Sequence, residues 1–117
     1  MPAYNDYLVD QVANSWVKTA NATAGTATAT APAPGLNRYN CISKCDVSFS
    51  SSTQSGLFQV LFGSTVIAEK FIHGAGALDF GQLGHKTPLP NQAISATLAA
   101  GAAGIVGYVV ITGYQTA

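Results

Sequence analysis

An all-β fold is the class this sequence predicts: an antiparallel β-sandwich, a jelly roll of about eight strands, behind an N-terminal arm. Three observations carry that expectation. Short runs alternate apolar and polar residues at period two, and clusters of Gly, Pro, Ser and Asn separate them at close spacing. No stretch carries the period of a long central helix. The closing stretch, residues 104–114, is apolar on both alternating sets, with Ile105, Val106, Tyr108, Val109, Val110, Ile111 and Tyr114. In a strand those two sets face opposite sides of the sheet. A strand apolar on both sides needs cover on both. One cover is expected to be the chain's own second sheet, the other a further subunit.

Residues 1–15 read as an arm. Asn5 is placed to cap a short helix with Leu8 and Val12 on one side. A helix so short is marginal alone, so the segment is either a frayed terminus or an arm that orders against a neighbour. Trp16-Val-Lys-Thr-Ala20 is the first strand. Residues 22–31 alternate Thr and Ala almost strictly and read as one further strand, ended by Pro32, Pro34 and Gly35. Residues 36–50 place Tyr39, Cys41, Cys45, Val47 and Phe49 on one parity and Asn40, Lys44, Asp46 and Ser48 on the other, with Ile42 an exception. Residues 57–62 and 65–72 form a hairpin about Gly63-Ser64. A short strand at 77–80 and a connection over 81–90 follow, where Pro88 and Pro90 bar a central strand. Residues 93–98 turn Ile94, Ala96 and Leu98 inward, and 99–104 lead into the final strand. Strand number points to a jelly roll. The pattern alone leaves an immunoglobulin-like sandwich open.

The chain has 117 residues, enough for one domain, and only 9% are charged against a typical figure of about 25%. Five Lys plus Arg balance five Asp plus Glu, so the net charge is zero. That removes the electrostatic footprint of a nucleic-acid binder and the basic face of a membrane-surface helix. No run reaches the roughly 20 apolar residues of a helical membrane span. The first residues lack a basic region followed by an apolar core, so no signal peptide is expected and assembly belongs in a cytoplasm. A surface this poor in charge suits either a chain docked to something large or a small β-domain covered by Ser, Thr, Asn and Gln.

Chemistry is sparse. Cys41 and Cys45 in one strand would stand about 13 Å apart, too far for a disulfide, and read as buried thiols on one face. Asp79, His73 and His85 fall in the loops around the 77–80 strand and invite a test for an acid–base or metal cluster, against the plainer reading of loop polar residues. Glu69 and Lys70 read as solvated or interfacial charges. Ser50, Ser51 and Ser52 lack a nucleophile elbow, and Gly74-Ala-Gly76 precedes no helical pattern. No enzyme, cofactor or metal is expected. Tyr108 and Tyr114 share one parity, suited to a subunit interface or to a sugar-stacking platform.

Three segments carry a resemblance. Thr26-Ala-Thr-Ala-Thr-Ala-Pro-Ala-Pro-Gly-Leu-Asn-Arg-Tyr39, Val60-Leu-Phe-Gly-Ser-Thr-Val-Ile67 and Gly107-Tyr-Val-Val-Ile-Thr-Gly-Tyr114, in that order, resemble elements of the capsid decoration (cement) and head-fibre proteins of tailed bacteriophages, which have a tumour-necrosis-factor-like jelly roll. The likeness covers roughly residues 16–117. It implies a homotrimer on the outer surface of a capsid, assembled in the host cytoplasm, which binds the major capsid protein and stabilises the head. On this resemblance Ile105, Tyr108, Val110 and Tyr114 belong to the trimer interface. Tyr4, Tyr7, Leu8 and Val12 belong to a capsid-contacting arm. The alternative is a head- or tail-fibre domain that recognises a bacterial surface glycan, for which only Phe80 supplies an aromatic in the loops 50–56 and 73–90.

Overall fold

The computed structural model describes residues 14–117. Nine strands follow one another: β1 Ser15–Thr23, β2 Ala27–Ala31, β3 Tyr39–Phe49, β4 Ser55–Phe62, β5 Thr65–His73, β6 Ala75–Asp79, β7 His85–Lys86, β8 Ile94–Leu98 and β9 Val106–Thr116. Every pairing is antiparallel. Four pairings nest: β1 with β9, β2 with β8, β3 with β6, and β4 with β5. The chain is therefore a long double ribbon with its hairpin end at β4–β5, rolled up so that its halves face each other. The lateral pairings β9–β3 and β8–β4 complete two sheets, β1-β9-β3-β6 and β2-β8-β4-β5. Nested pairing of this kind is a jelly roll, which decides against the immunoglobulin-like order. A single bridge, His73 to Ala75, joins the sheets where β5 passes into β6.

The core is what the alternating parities bury between the sheets. Ala27, Ala29 and Ala31 of β2, Phe58, Val60 and Phe62 of β4, and Ile94, Ala96 and Leu98 of β8 come from one side. Cys45, Val47 and Phe49 of β3 with Val109 and Ile111 of β9 come from the other, and Trp16, Ala20 and Ala22 of β1 pack against its margin. The alanines let β2 lie close, while the aromatic rings of β4 fill the opposite end. Burial of each large side chain contributes about 1.5–3 kcal/mol, which makes this interior the main stabilising term.

Four expectations change in the structure. The Thr/Ala run is two strands. At Ala24 the backbone takes a positive φ of 53°, and its N–H donates to the Ile105 carbonyl at 2.9 Å. The chain turns this corner to pass from one sheet to the other. β3 does not keep one parity: its register against β9 slips between Ile42 and Lys44, leaving Ser43 as the extra residue. The bulge turns Ile42 into the core and explains the exception in the pattern. It also puts the two cysteines on opposite faces, with Cys45 in the core and Cys41 on the outer face, where it is still fully buried. The connection over 81–90 contains β7, which pairs Lys86 with Cys41 and His85 with Ile42. Finally, β1 begins at Ser15, so the strand takes the last residue assigned to the arm.

β9 crosses β1 and β3 so closely at Gly113 that no side chain fits. A Cβ there would lie 2.6 Å from the Trp16 ring and closer still to the Cys41 carbonyl oxygen.

A candidate interaction face

The outer face of the sheet β1-β9-β3-β6 follows directly from parity. Val109 and Ile111 point into the core, so Tyr108, Val110, Thr112 and Tyr114 point out. The register then sets three cross-strand rows. Val17, Thr112, Lys44 and Asp79 form the first; Thr19, Val110, Asp46 and Ala77 the second; Asn21, Tyr108, Ser48 and Ala75 the third. Neighbours in such rows stand about 4.5–5.5 Å apart and act as one surface.

The two ends of this face differ. Toward the start of β3 the chain covers itself. The Tyr114 hydroxyl donates to the Leu83 carbonyl at 2.5 Å, and the Lys86 ammonium stands 4.0 Å from the centre of the Tyr39 ring. The Thr87 N–H donates to the Asn40 carbonyl at 3.0 Å, and the Asn91 N–H to that of Arg38 at 2.8 Å. Tyr114 is 1% exposed. It is therefore an internal anchor for the 81–91 connection, a correction to its place in a subunit interface. Ile105 is likewise set aside from the face. It is half-buried against the core, and its carbonyl holds the Ala24 corner.

The other end is open. Two shallow grooves lie side by side there, of about 500 Å³ between β6, β3 and β9 and about 450 Å³ beside Lys44, Asp79 and Thr112. Ala75 and Ala77 line the first beside Tyr108 and Val110, and Ser43, Gly81 and Gln82 complete the second. Tyr108 is 43% exposed and Val17 60%. Lys44 and Asp46 pair across 3.7 Å on the ridge between the grooves, each half in solvent. Of the four interface residues expected from the sequence, Tyr108 and Val110 share this open surface. The arm residues Tyr4, Tyr7, Leu8 and Val12 lie outside the described residues. Sequence reasoning missed Ala75, Ala77, Val17 and Thr19. Only the register brings them beside Tyr108, and no local pattern announces that register.

The candidate polar residues do not gather. Among the described residues no three of His, Cys, Asp and Glu come together as a metal-binding group. Asp79 accepts the Gly81 N–H at 2.8 Å, and His73 Nδ1 bonds the Ser55 hydroxyl at 2.6 Å. His85 lies edge-on to Phe62 with ring centres 5.1 Å apart, and against Phe80 at 6.0 Å. Phe80, the loop aromatic that a glycan reader would use, is thus half-buried in a packed cluster. Glu69 accepts from Gln59 Nε2 at 2.8 Å on the outer face of the other sheet. Burial, with help from neighbouring Asp46, pushes the Cys45 thiol up to about 12, so it stays protonated and unreactive.

No protein-family model matches the chain, and no curated protein does. Among solved structures it is similar to a family two carbohydrate esterase from Cellvibrio japonicus, at 18% identity and a TM-score of 0.32. That match covers 86% of this chain and 35% of the esterase, so the chain spans about a third of that protein's length.

Proposed function

We propose that the chain is a structural virion protein of a tailed phage, a homotrimer that binds the major capsid protein on the outer surface of the head and stabilises it. The observation that carries this reading is the open end of the β1-β9-β3-β6 face. There Tyr108, Val110, Val17 and two alanines lie around Asp79 and the paired Lys44 and Asp46, on a chain whose net charge is zero. The resemblance in motif order supports it. Trimeric attachment explains how weak contacts suffice: three sites on one body gain avidity without new contacts at each site. In this reading the open face packs in the trimer, and residues 1–13 meet the capsid.

The test is co-sedimentation with heads of the phage that encodes the chain. The wild type is expected to bind. Tyr108→Lys/Val110→Lys is expected to remain folded, fall to monomer and lose binding. Removal of residues 1–13 spares β1 and the Asn14 carbonyl that accepts from Gln115, so this variant is expected to stay trimeric and lose binding. Full occupancy of heads by either variant overturns the corresponding assignment.

A second reading has one observation in its favour. The half-exposed Tyr108 ring lines a groove with Asp46 and Ser48, as a sugar-stacking platform with hydroxyl partners would. This fibre-type, glycan-binding role predicts that oligosaccharides perturb Tyr108 fluorescence and protect that face in a monomer. Silence across a glycan array removes it.

A further inference from the structure

The two sheets end in four outer strands, β1 and β2 on one side of the sandwich and β5 and β6 on the other. An outer strand is a template for another chain, and proteins guard such edges with charge, bulges or inward-pointing charged side chains. Three of the four carry a guard. β1 holds Lys18 on the parity of Trp16 and Ala20, half-buried toward the interior. β5 exposes Glu69 and Lys70 and carries a bulge at Ile67, the residue its register against β4 skips. β6 ends on exposed Asp79 and is tied to β5 by their shared bridge.

β2 carries no such guard. Ala27-Thr28-Ala29-Thr30-Ala31 contains no charge, glycine or proline, and it pairs with β8 without a bulge. Among the described residues no strand pairs with its other side. The three alanines are buried and the two threonines exposed. The segment also reads the same in both directions. Antiparallel pairing with a second copy about Ala29 puts Thr28 opposite Thr30 of that copy, and Ala27 opposite Ala31, twice over by symmetry. All four threonines then share the outer face and all the alanines the core side, with no register conflict.

We propose that β2 is a self-pairing edge. Two copies join β2 to β2 around a twofold axis at Ala29 and merge their β2-β8-β4-β5 sheets into one. An isologous contact of this kind needs only a self-complementary patch, and Thr–Thr cross-strand pairs favour it. Pro32 ends the segment, so the joint is short and the association weak and concentration-dependent. It uses the opposite sheet from the Tyr108 face, so it stands or falls independently of the trimer. Each joint links two chains, so a single-chain unit becomes a pair, and a three-chain unit joins another at one of its three edges or at all of them.

Sedimentation velocity on the full chain from micromolar to millimolar concentration tests it. The wild-type mass is expected to rise at least twofold from its dilute value. Thr28→Lys/Thr30→Lys sets ammonium groups opposite each other across the joint and is expected to hold the dilute value throughout. Thr28→Glu/Thr30→Lys sets each carboxylate opposite an ammonium and is expected to restore the rise, more so at low salt. Both variants change only exposed side chains, and circular dichroism checks that they fold. A wild-type mass that never rises, a rise that survives the double lysine variant, or a Glu/Lys variant that fails to associate would each overturn the proposal. The dilute mass itself reports on the trimer separately.

Discussion

Cys45 shows how placement alone sets a residue's behaviour. It sits in the core beneath Asp46, with its thiol moved from 9.0 to about 12 by burial first and the neighbouring carboxylate second. Between those values the folded chain keeps a proton that the unfolded chain releases. Stability from this residue is therefore complete below pH 9 and is lost as pH rises toward 12, at up to about 1.4 kcal/mol per unit. Urea unfolding at stepped alkaline pH should give a steeper decline for the wild type than for Cys45→Ala; equal slopes would contradict the buried-thiol account. That Cys45 is a buried small hydrophobe was legible in its parity. The position of Cys41 was not, because the chain reverses its alternation between the two. Asn40 escaped the reading for the same reason. It lies on the polar parity, yet it is fully buried and donates to the carbonyls of Pro32 and Gln92 at 3.0 and 2.9 Å. Tyr114 was legible as buried, but what covers it is its own chain.

At the scale of elements, the regular strands were readable and the irregular joints were not. The 57–72 hairpin, the inward set Ile94, Ala96 and Leu98, and the two-sided final strand all follow from period-two patterning. The Ser43 bulge and the Ala24 corner depend on what each strand pairs with, and local composition does not encode that. Ile42 was the trace of the bulge: an apolar residue on the polar parity marks a place where the alternation resets. The bulge can be tested directly. Deletion of Ser43 would force Tyr39, Asn40, Cys41 and Ile42 to exchange faces, exposing Ile42 and burying the ring of Tyr39. A loss of about 3 kcal/mol or more is expected, read as a lower urea midpoint. A variant as stable as the wild type would mean that β3 tolerates either register. β7 gave no signal because its two residues pair only through the loop that carries them.

At the scale of the molecule, nested pairing turns a chain of weakly amphipathic strands into two faces of different character. One sheet presents Thr28, Thr30, Ser95 and Thr97 over β2 and β8, an exposed Phe71 on β5, and an unguarded edge. The other presents Tyr108 and Val110 beside a groove lined by Ala75 and Ala77. The all-β class and every strand but β7 were legible because turn residues punctuate the chain so regularly. The open Tyr108 face was legible only in part: of the four residues expected at an interface, Tyr108 and Val110 lie on it, and the rest of that surface is assembled by register. Light scattering on the purified full chain at dilute concentration tests the central claim most directly. The subunit mass is 12.0 kDa. The account predicts a particle of three subunits that Tyr108→Lys/Val110→Lys reduces to one. A wild-type protein that stays at the subunit mass would contradict it.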